Sequence, residues 1–192
     1  IEVDDEQHKI YGEETITYTN NSPNTLEYLW VQLDQNVRAK DSNTPLIRTS
    51  SMSKSISGKD LQSMANAYDY DGGFKIASVT DASGKDLKYM INKTMMRIEP
   101  GKSMGTGDSF TFKIKWSYNI NDRMKIGGRS GYEYFPKDEN YLYTIAQWFP
   151  RMAVYDDVEG WQNKQFLGRG EFALTFGDYK VNITVPADLL YS

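Results

Sequence analysis

Cysteine is absent from the 192 residues, and histidine occurs once, as His8. Without cysteine the chain can hold no disulfide, no thiolate zinc site and no cysteine nucleophile. A single histidine cannot supply the two or three imidazoles that hydrolytic zinc sites use. The composition therefore argues against a hydrolytic metalloenzyme and against a Ser-His-Asp enzyme built from this chain alone.

The sequence also lacks an excess of positive charge and a long apolar run. Its 22 basic and 26 acidic side chains give a net charge of −4, whereas a surface that neutralises phosphates normally makes a domain basic. No stretch approaches the roughly 18 apolar residues of a membrane span. We therefore expect no nucleic-acid partner and no membrane-spanning segment in this chain. Because the chain begins at Ile1 rather than methionine, we interpret it as a piece of a longer protein.

What the sequence has in abundance is apolar residues at alternate positions, the period of a β-strand. The clearest run covers residues 109 to 118, where aromatic and aliphatic residues alternate with Thr, Lys and Ser. A second region, residues 170 to 186, contains two alternating runs separated by Gly177-Asp178 and ended by Pro186. A Gly-Asp pair between such runs is a hairpin signal, so we predict one β-hairpin there.

Further short alternating runs are separated by turn-forming residues. They are residues 13 to 19, 29 to 33, 74 to 79, 87 to 91 and 94 to 98. The first two runs flank an Asn- and Pro-containing connector and are predicted to form a hairpin or a corner. This spacing predicts an all-β fold, an antiparallel sandwich or a saddle of sheets, with long loops and at most one or two short helices. Residues 1 to 192 show no internal domain boundary.

Two segments interrupt the alternation. Residues 35 to 72 are rich in polar residues and too long for an ordinary connection, and Lys59 to Ala67 is predicted to form a short helix within them. Residues 126 to 170 combine glycines, prolines and aromatic residues. Because functional residues concentrate on long loops carried by a rigid scaffold, we expect a functional site to lie in these segments.

Three sequence features could indicate a ligand site, but each is better explained by an ordinary structural role. The segment from Gly127 to Tyr132 is glycine-rich but lacks the Gly-Lys-Ser/Thr of a phosphate-binding loop, which favours a plain mobile loop. Asp156, Asp157 and Glu159 could bind calcium, but without the EF-hand spacing solvated loop acids are the better interpretation. His8 is interpreted as a surface histidine.

Residues 141 to 157 differ from the rest of the loops in composition. They bring together tyrosines, Gln147, Trp148, Phe149, a proline and Arg151. Such a mixture lines ligand pockets and domain interfaces, and it also occurs at buried corners of sandwiches. Composition alone leaves both interpretations open.

Three segments resemble, in the same order, the N-terminal domain of bacterial aminopeptidase-N-like zinc metallopeptidases, which belong to the gluzincins. They are residues 8 to 23, residues 94 to 98 and residues 146 to 152. The resemblance implies an antiparallel β domain that precedes a thermolysin-like catalytic domain, expected after Ser192. Zinc would be bound there by an HExxH motif and a downstream glutamate, and neither HExxH nor the family's exopeptidase loop occurs in this chain.

The resemblance also implies a role for one residue of the N-terminal domain. The family has a glutamine at the position of Gln147, and it lines the cleft near the amino terminus of the peptide. Ala146 stands here where the family has threonine, and Trp148 and Phe149 follow as candidate wall residues. We therefore expect Gln147, Trp148 and Phe149 to be substrate-binding residues, with no catalytic residue, no metal ligand and no cofactor in this chain.

Two functions from different classes follow, with a structural or adhesive domain of a surface protein as a third alternative. The first is a non-catalytic domain that packs on the catalytic domain of the same polypeptide and helps to form its peptide-binding cleft. The second is a stand-alone β-sandwich that binds carbohydrate or protein through exposed Trp and Tyr side chains. By resemblance, the parent protein of the first would be periplasmic or secreted.

Overall fold

The computed structural model describes residues 1–44, 55–166 and 174–187. Most of the regular structure in these ranges is β-strand. The strands are β1 (Glu2–Asp4), β2 (Lys9–Thr19), β3 (Leu29–Gln32), β4 (Lys75–Asp81), β5 (Lys88–Asn92), β6 (Met95–Glu99), β7 (Ser109–Asn119), β8 (Gly131–Phe135), β9 (Asn140–Thr144), β10 (Arg151–Met152), β11 (Tyr155–Asp156) and β12 (Gly160–Trp161). The helices are α1 (Gly58–Asp69), α2 (Arg123–Ile126) and a 3-10 helix (Asp34–Arg38).

Two four-stranded antiparallel sheets form the body of the protein. The first has the strand order β1-β2-β7-β4, and the second has the order β10-β3-β6-β5. Strands β2 and β7 pair over their full length, from Lys9 opposite Asn119 to Thr19 opposite Ser109. Two smaller pairs, β8-β9 and β11-β12, extend from this body. The predicted all-β, antiparallel fold with short helices is confirmed.

The core lies between the two four-stranded sheets. The first sheet contributes Ile10, Val79, Phe112, Ile114 and Trp116, and the second contributes Leu29, Val31, Met96, Ile98 and Met152. The side chains of β7 alternate between this core and the opposite face, as the sequence predicts. The period-two pattern gives each sheet one apolar face. The two apolar faces are buried against each other, because exposing either of them to water is unfavourable.

Gly12 lets β2 pack closely against its neighbour. Its partner across the sheet is Trp116, and a Cβ added at residue 12 would lie 2.2 Å from the indole ring. The indole therefore occupies the space that a side chain would take, and it makes a ring contact with Trp148 from the long loop region. This contact links the first sheet to the segment that carries the candidate site.

The predicted corner and helix are also present. Strands β2 and β3 belong to different sheets, so the polar connector between them forms a corner rather than a hairpin. Helix α1 contains the predicted Lys59 to Ala67, and the Ser57 hydroxyl caps it by accepting a hydrogen bond from the Asp60 N–H at 3.1 Å. No helix in the described ranges is long and apolar enough to cross a membrane.

The predicted hairpin of residues 170 to 186 is wrong for the part that the structure describes. Residues 170–173 lie outside the described ranges, and residues 174–183 belong to no strand. Thr184 instead forms a parallel bridge to Glu2, with hydrogen bonds from the Val3 N–H to the Thr184 carbonyl (3.0 Å) and from the Thr184 N–H to the Ile1 carbonyl (2.8 Å). The free edge of β1, distant in sequence, supplies the hydrogen bonds that the local turn was expected to provide.

Candidate functional site

The candidate site is the loop of residues 145–150, which connects β9 to β10. Within it, Gln147 has a φ of 53°, in the left-handed region that residues other than glycine rarely adopt. Such a conformation costs on the order of 1–3 kcal/mol and persists only where the surroundings impose it. His8, Lys93 and Glu139 have similar φ values of 50°, 54° and 49°, so the contacts that hold the loop, and not φ alone, distinguish Gln147.

Two buried side chains fix the residue that precedes Gln147. The Ser130 hydroxyl accepts a hydrogen bond from the Ala146 N–H at 2.9 Å and donates one to the Ala146 carbonyl at 3.1 Å. The Gln35 amide donates a second hydrogen bond to the same carbonyl at 2.8 Å. Both polar backbone groups of Ala146 are thus held by side chains from distant parts of the sequence, and Gln147 begins from a fixed position.

Arg38 extends this network toward the glycine-rich segment. Its guanidinium donates a hydrogen bond to the Gln35 side-chain oxygen Oε1 at 3.1 Å, and burial lowers the pKa of Arg38. A Cβ at Gly128 would lie 2.7 Å from the Arg38 Nη2, and the φ of Gly128 is 106°. The glycine-rich segment therefore ends α2 and passes close to Arg38, a structural role that neither sequence interpretation anticipated.

Trp148 and Phe149 are partly buried and pack against the core. Their ring centroids are 4.6 Å apart, and Trp148 also contacts Trp116 with centroids 6.3 Å apart. Phe149 makes an edge-to-face contact with Tyr179 at 6.1 Å. These two side chains anchor the loop to the body of the protein, so the buried-corner interpretation describes them well.

A buried ion pair fixes the other end of the loop. The Arg151 Nη2 lies 2.7 Å from the Asp34 Oδ2, and the two side chains are 16% and 2% exposed. Asp34 begins the 3-10 helix that also carries Gln35 and Arg38. One short helix thus contacts both ends of the loop, through Gln35 at Ala146 and through Asp34 at Arg151.

The Gln147 side chain itself is partly buried and makes no hydrogen bond with the described residues. Its amide retains two donor hydrogens and an acceptor oxygen for another group. The structure therefore presents a glutamine on a rigidly held backbone, between two aromatic anchors on one side and a serine-glutamine clamp on the other. This is an arrangement suited to binding a polar group such as an ammonium or a carbonyl.

His8 is not the surface histidine that the sequence predicts. Its ring stacks on Tyr132 with centroids 3.8 Å apart, and its Nδ1 lies 2.8 Å from the Tyr143 hydroxyl oxygen. Burial lowers the pKa of His8, although the carboxylates of Asp5, Asp122 and Asp4 act in the opposite direction. The correction arises because β8 and β9 fold over the turn that precedes β2, a long-range contact with no local signal.

The aromatic cluster around His8 was missed at the level of sequence. Strands β8 and β9 each carry two tyrosines at alternate positions, and Tyr132 pairs with Tyr143 while Tyr134 pairs with Tyr141. The alternation was present in the sequence on both sides of the loop that contains Pro136. No strand is predicted there because each run is short and lies in a region dominated by glycine, proline and aromatic residues.

Asp156 serves the turn between β11 and β12. Its Oδ1 accepts hydrogen bonds from the N–H groups of Val158 (2.9 Å) and Glu159 (2.8 Å), and its Oδ2 accepts one from Gln162 (2.6 Å). These hydrogen bonds lower the pKa of Asp156. Among the described residues, no group of three or more His, Asp or Glu side chains is arranged to hold a metal ion. The structure thus gives Asp156 a role in the turn.

Comparison of the chain with models of protein families and with curated proteins finds no match to either.

Proposed function

We propose that this chain is the non-catalytic N-terminal domain of a zinc metallopeptidase of the aminopeptidase N type. In this proposal it packs on the catalytic domain and forms one wall of the peptide-binding cleft around Gln147. The observation that carries the proposal is the backbone of Gln147, which has a φ of 53° and follows a residue clamped by Ser130 and Gln35. The collinear sequence resemblance supports the proposal, because it implies that the family's cleft glutamine corresponds to Gln147.

The geometry gives the proposed wall a physical basis. A side chain binds a reacting molecule precisely only when its own backbone is held by supporting contacts. The Gln147 amide could accept a hydrogen bond from the ammonium group of a peptide or donate one to a peptide carbonyl. A rigid β domain next to an open zinc site would also exclude water from one side of the cleft. The metal and the general base would come from the catalytic domain.

An exposed apolar surface next to the loop supports the packing on a second domain. Leu174, Phe176, Val181 and Ile183 are largely exposed, and Tyr179 connects this segment to Phe149 of the loop. Exposed apolar side chains grouped in one segment are available for association with another domain. The continuity of this segment with the Gln147 loop is what a domain interface at the edge of a cleft requires.

Substitution of Gln147 in the full-length protein tests the proposed role. Gln147→Gly removes the amide and relieves the positive φ, so we expect a protein at least as stable as the wild type. Its kcat/KM for aminoacyl substrates should fall about 10- to 100-fold, because a hydrogen bond to a charged group contributes roughly 1.5–3 kcal/mol. Steady-state kinetics and thermal unfolding, measured on the same preparation, separate the two effects.

Two further variants sharpen this test. Gln147→Asn keeps an amide and tolerates the left-handed conformation, so it should retain more activity than Gln147→Gly. Gln7→Ala, at an exposed glutamine far from the loop in sequence, should leave turnover unchanged. Peptide turnover by Gln147→Gly equal to that of Gln7→Ala would remove Gln147 from the proposed cleft.

The coding sequence that follows Ser192 distinguishes the two functional classes. We expect an HExxH motif followed, after 18 intervening residues, by a glutamate, the ligand set of the family. The presence of this pattern supports the metallopeptidase proposal. Its absence would favour the alternative of a stand-alone β-sandwich binding module.

A further inference from the structure

Arg38 fixes the orientation of the Gln35 side-chain amide. The two residues lie three positions apart at the two ends of one turn of the 3-10 helix, so their side chains lie on the same side of it. The Arg38 Nη1 donates to the Gln35 Oε1 at 3.1 Å, and the Gln35 Nε2 donates to the Ala146 carbonyl at 2.8 Å. Because a guanidinium only donates and a carbonyl only accepts, one of the two orientations of the amide satisfies both neighbours and the other satisfies neither.

Arg38 also lies beside the segment that carries the second side chain of the clamp. A Cβ at Gly128 would lie 2.7 Å from the Arg38 Nη2, so the backbone at Gly128 passes close to the guanidinium. Ser130 follows two residues later and holds the Ala146 N–H and carbonyl at 2.9 Å and 3.1 Å. One guanidinium therefore contacts both segments that clamp Ala146.

The contact between Arg38 and Gln35 is not a consequence of charge pairing elsewhere. Within the described ranges Arg38 forms no ion pair, and its carbonyl is held by the Gly72 N–H at 2.9 Å. Gln35 is 2% exposed, so without the guanidinium its Oε1 would be a buried acceptor that has lost its partner. A buried acceptor of this kind is unfavourable, and the amide would gain by turning toward water. Its hydrogen bond to Ala146 would then weaken.

We propose that Arg38 is a positioning residue for Gln147, acting through Gln35 and Ala146 without touching the substrate. The inference rests on the proposed function, in which Gln147 binds the peptide. A binding group is precise only when the residues that support it are themselves fixed. The φ of 53° at Gln147 depends on such support, because the Ala146 carbonyl belongs to the same peptide group as the Gln147 N–H. Loss of Arg38 should therefore impair the binding role of Gln147 while every group that contacts the peptide is still present.

A double-mutant cycle in the full-length protein tests the proposal. Arg38→Met keeps an unbranched apolar stem but removes the donors, and it should lower kcat/KM about three- to ten-fold, the range expected for one hydrogen bond. In the Gln147→Gly background the same substitution should have no further effect on kcat/KM, because the group that it positions is absent. Arg38→Lys retains a charged donor and should lose less than Arg38→Met. Additive losses from Arg38→Met and Gln147→Gly would overturn the proposal.

A spectroscopic measurement tests the positioning without any activity. Labelling the protein with 15N-glutamine places reporters both on the Gln35 side-chain amide and on the Gln147 backbone amide. Both signals should shift in Arg38→Met and shift less in Arg38→Lys, because the hydrogen bonds on either side of the Gln35 amide change. Thermal unfolding of the same preparations shows that the variants are folded. A Gln147 signal that stays at its wild-type position in both variants would overturn the proposal.

Arg97→Met is the matched control. This arginine of β6 is 37% exposed, and its guanidinium carbon lies 4.2 Å from the centre of the Tyr28 ring, so its loss also removes a packed cation. The Gln147 signal should not change in this variant, and an equal shift there would overturn the proposal. If Arg38→Met shifts the signal while Gln147→Gly leaves peptide turnover unchanged, the positioning is supported and the proposed function is rejected.

Discussion

Glu14→Gln is expected to stabilise the protein by roughly 3 kcal/mol at pH 7. Glu14 lies on the core-facing side of β2, opposite Ile114, which is itself opposite Val79 of β4. Its Oε1 is buried without a hydrogen-bond partner among the described residues, and burial raises its pKa to about 8. A carboxyl in this position must stay protonated or be ionised at a cost, whereas an amide of the same shape has no charge to desolvate.

The sign of the pH dependence follows from this shift. Between the ordinary pKa of 4.5 and about 8, the folded state keeps a proton on Glu14 that the unfolded state releases. The free energy of unfolding of the wild type therefore falls as the pH rises through this range, and Glu14→Gln should remove that part of the slope. Urea unfolding, followed by tryptophan fluorescence at several pH values between 4 and 9, measures the difference between the two proteins.

Glu13→Gln provides the matched control. Glu13 is the adjacent residue on the opposite face of β2, half exposed and paired with Lys115 at 3.1 Å. Because an exposed ion pair contributes little, this substitution should change stability by less than about 1 kcal/mol and keep the wild-type slope. A stability difference between Glu14→Gln and wild type that does not vary with pH would show that the Glu14 carboxyl is solvated in the folded protein.

Arg151→Met is expected to destabilise the protein by about 3–5 kcal/mol. The substitution removes the guanidinium that faces the Asp34 carboxylate at 2.7 Å, where the aspartate is 2% exposed. A buried carboxylate that loses its cation bears a large desolvation cost. Because Arg151 also ends the Gln147 loop, we expect the loop to lose its fixed geometry together with stability. Thermal unfolding measured by circular dichroism gives the size of the effect.

Two comparisons isolate the buried pair. Lys164→Met breaks the exposed pair between Lys164 and Glu159, 3.0 Å apart, and should cost no more than about 1 kcal/mol. The double variant Asp34→Asn with Arg151→Met removes both charges and should be more stable than Arg151→Met alone. If Arg151→Met proved as mild as Lys164→Met, the Asp34 pair would not hold the loop.

The sequence predicted the parts of the fold that depend on local periodicity. The alternation in residues 109 to 118 became β7, whose apolar side packs into the core, and Ser57 caps the helix predicted within residues 35 to 72. Such features need only neighbouring residues in the chain. The hairpin predicted around Gly177-Asp178 failed in its described part, because the edge of β1 supplied hydrogen bonds to Thr184 from the opposite end of the sequence.

The sequence indicated which residues form the candidate site but not the backbone conformation that they adopt. Composition and resemblance singled out Gln147, Trp148 and Phe149, yet nothing in residues 141 to 157 indicated the positive φ of Gln147. That conformation depends on Ser130 and Gln35, which approach Ala146 only in the folded chain. The aromatic cluster around His8 was missed for a related reason, since it depends on His8, which lies 135 residues before its hydrogen-bond partner Tyr143.

The sequence by itself determined that this protein folds from antiparallel sheets and that its own residues lack the imidazoles and thiolates of a zinc enzyme. The first conclusion rests on the alternation of neighbouring residues, which acts locally. The second rests on the absence of cysteine and the single histidine. Only the tertiary structure decided that a 3-10 helix clamps both ends of the Gln147 loop and that tyrosines of β8 and β9 pack against His8. Contacts between distant segments form when sheets bury their apolar faces together, and no local pattern encodes them.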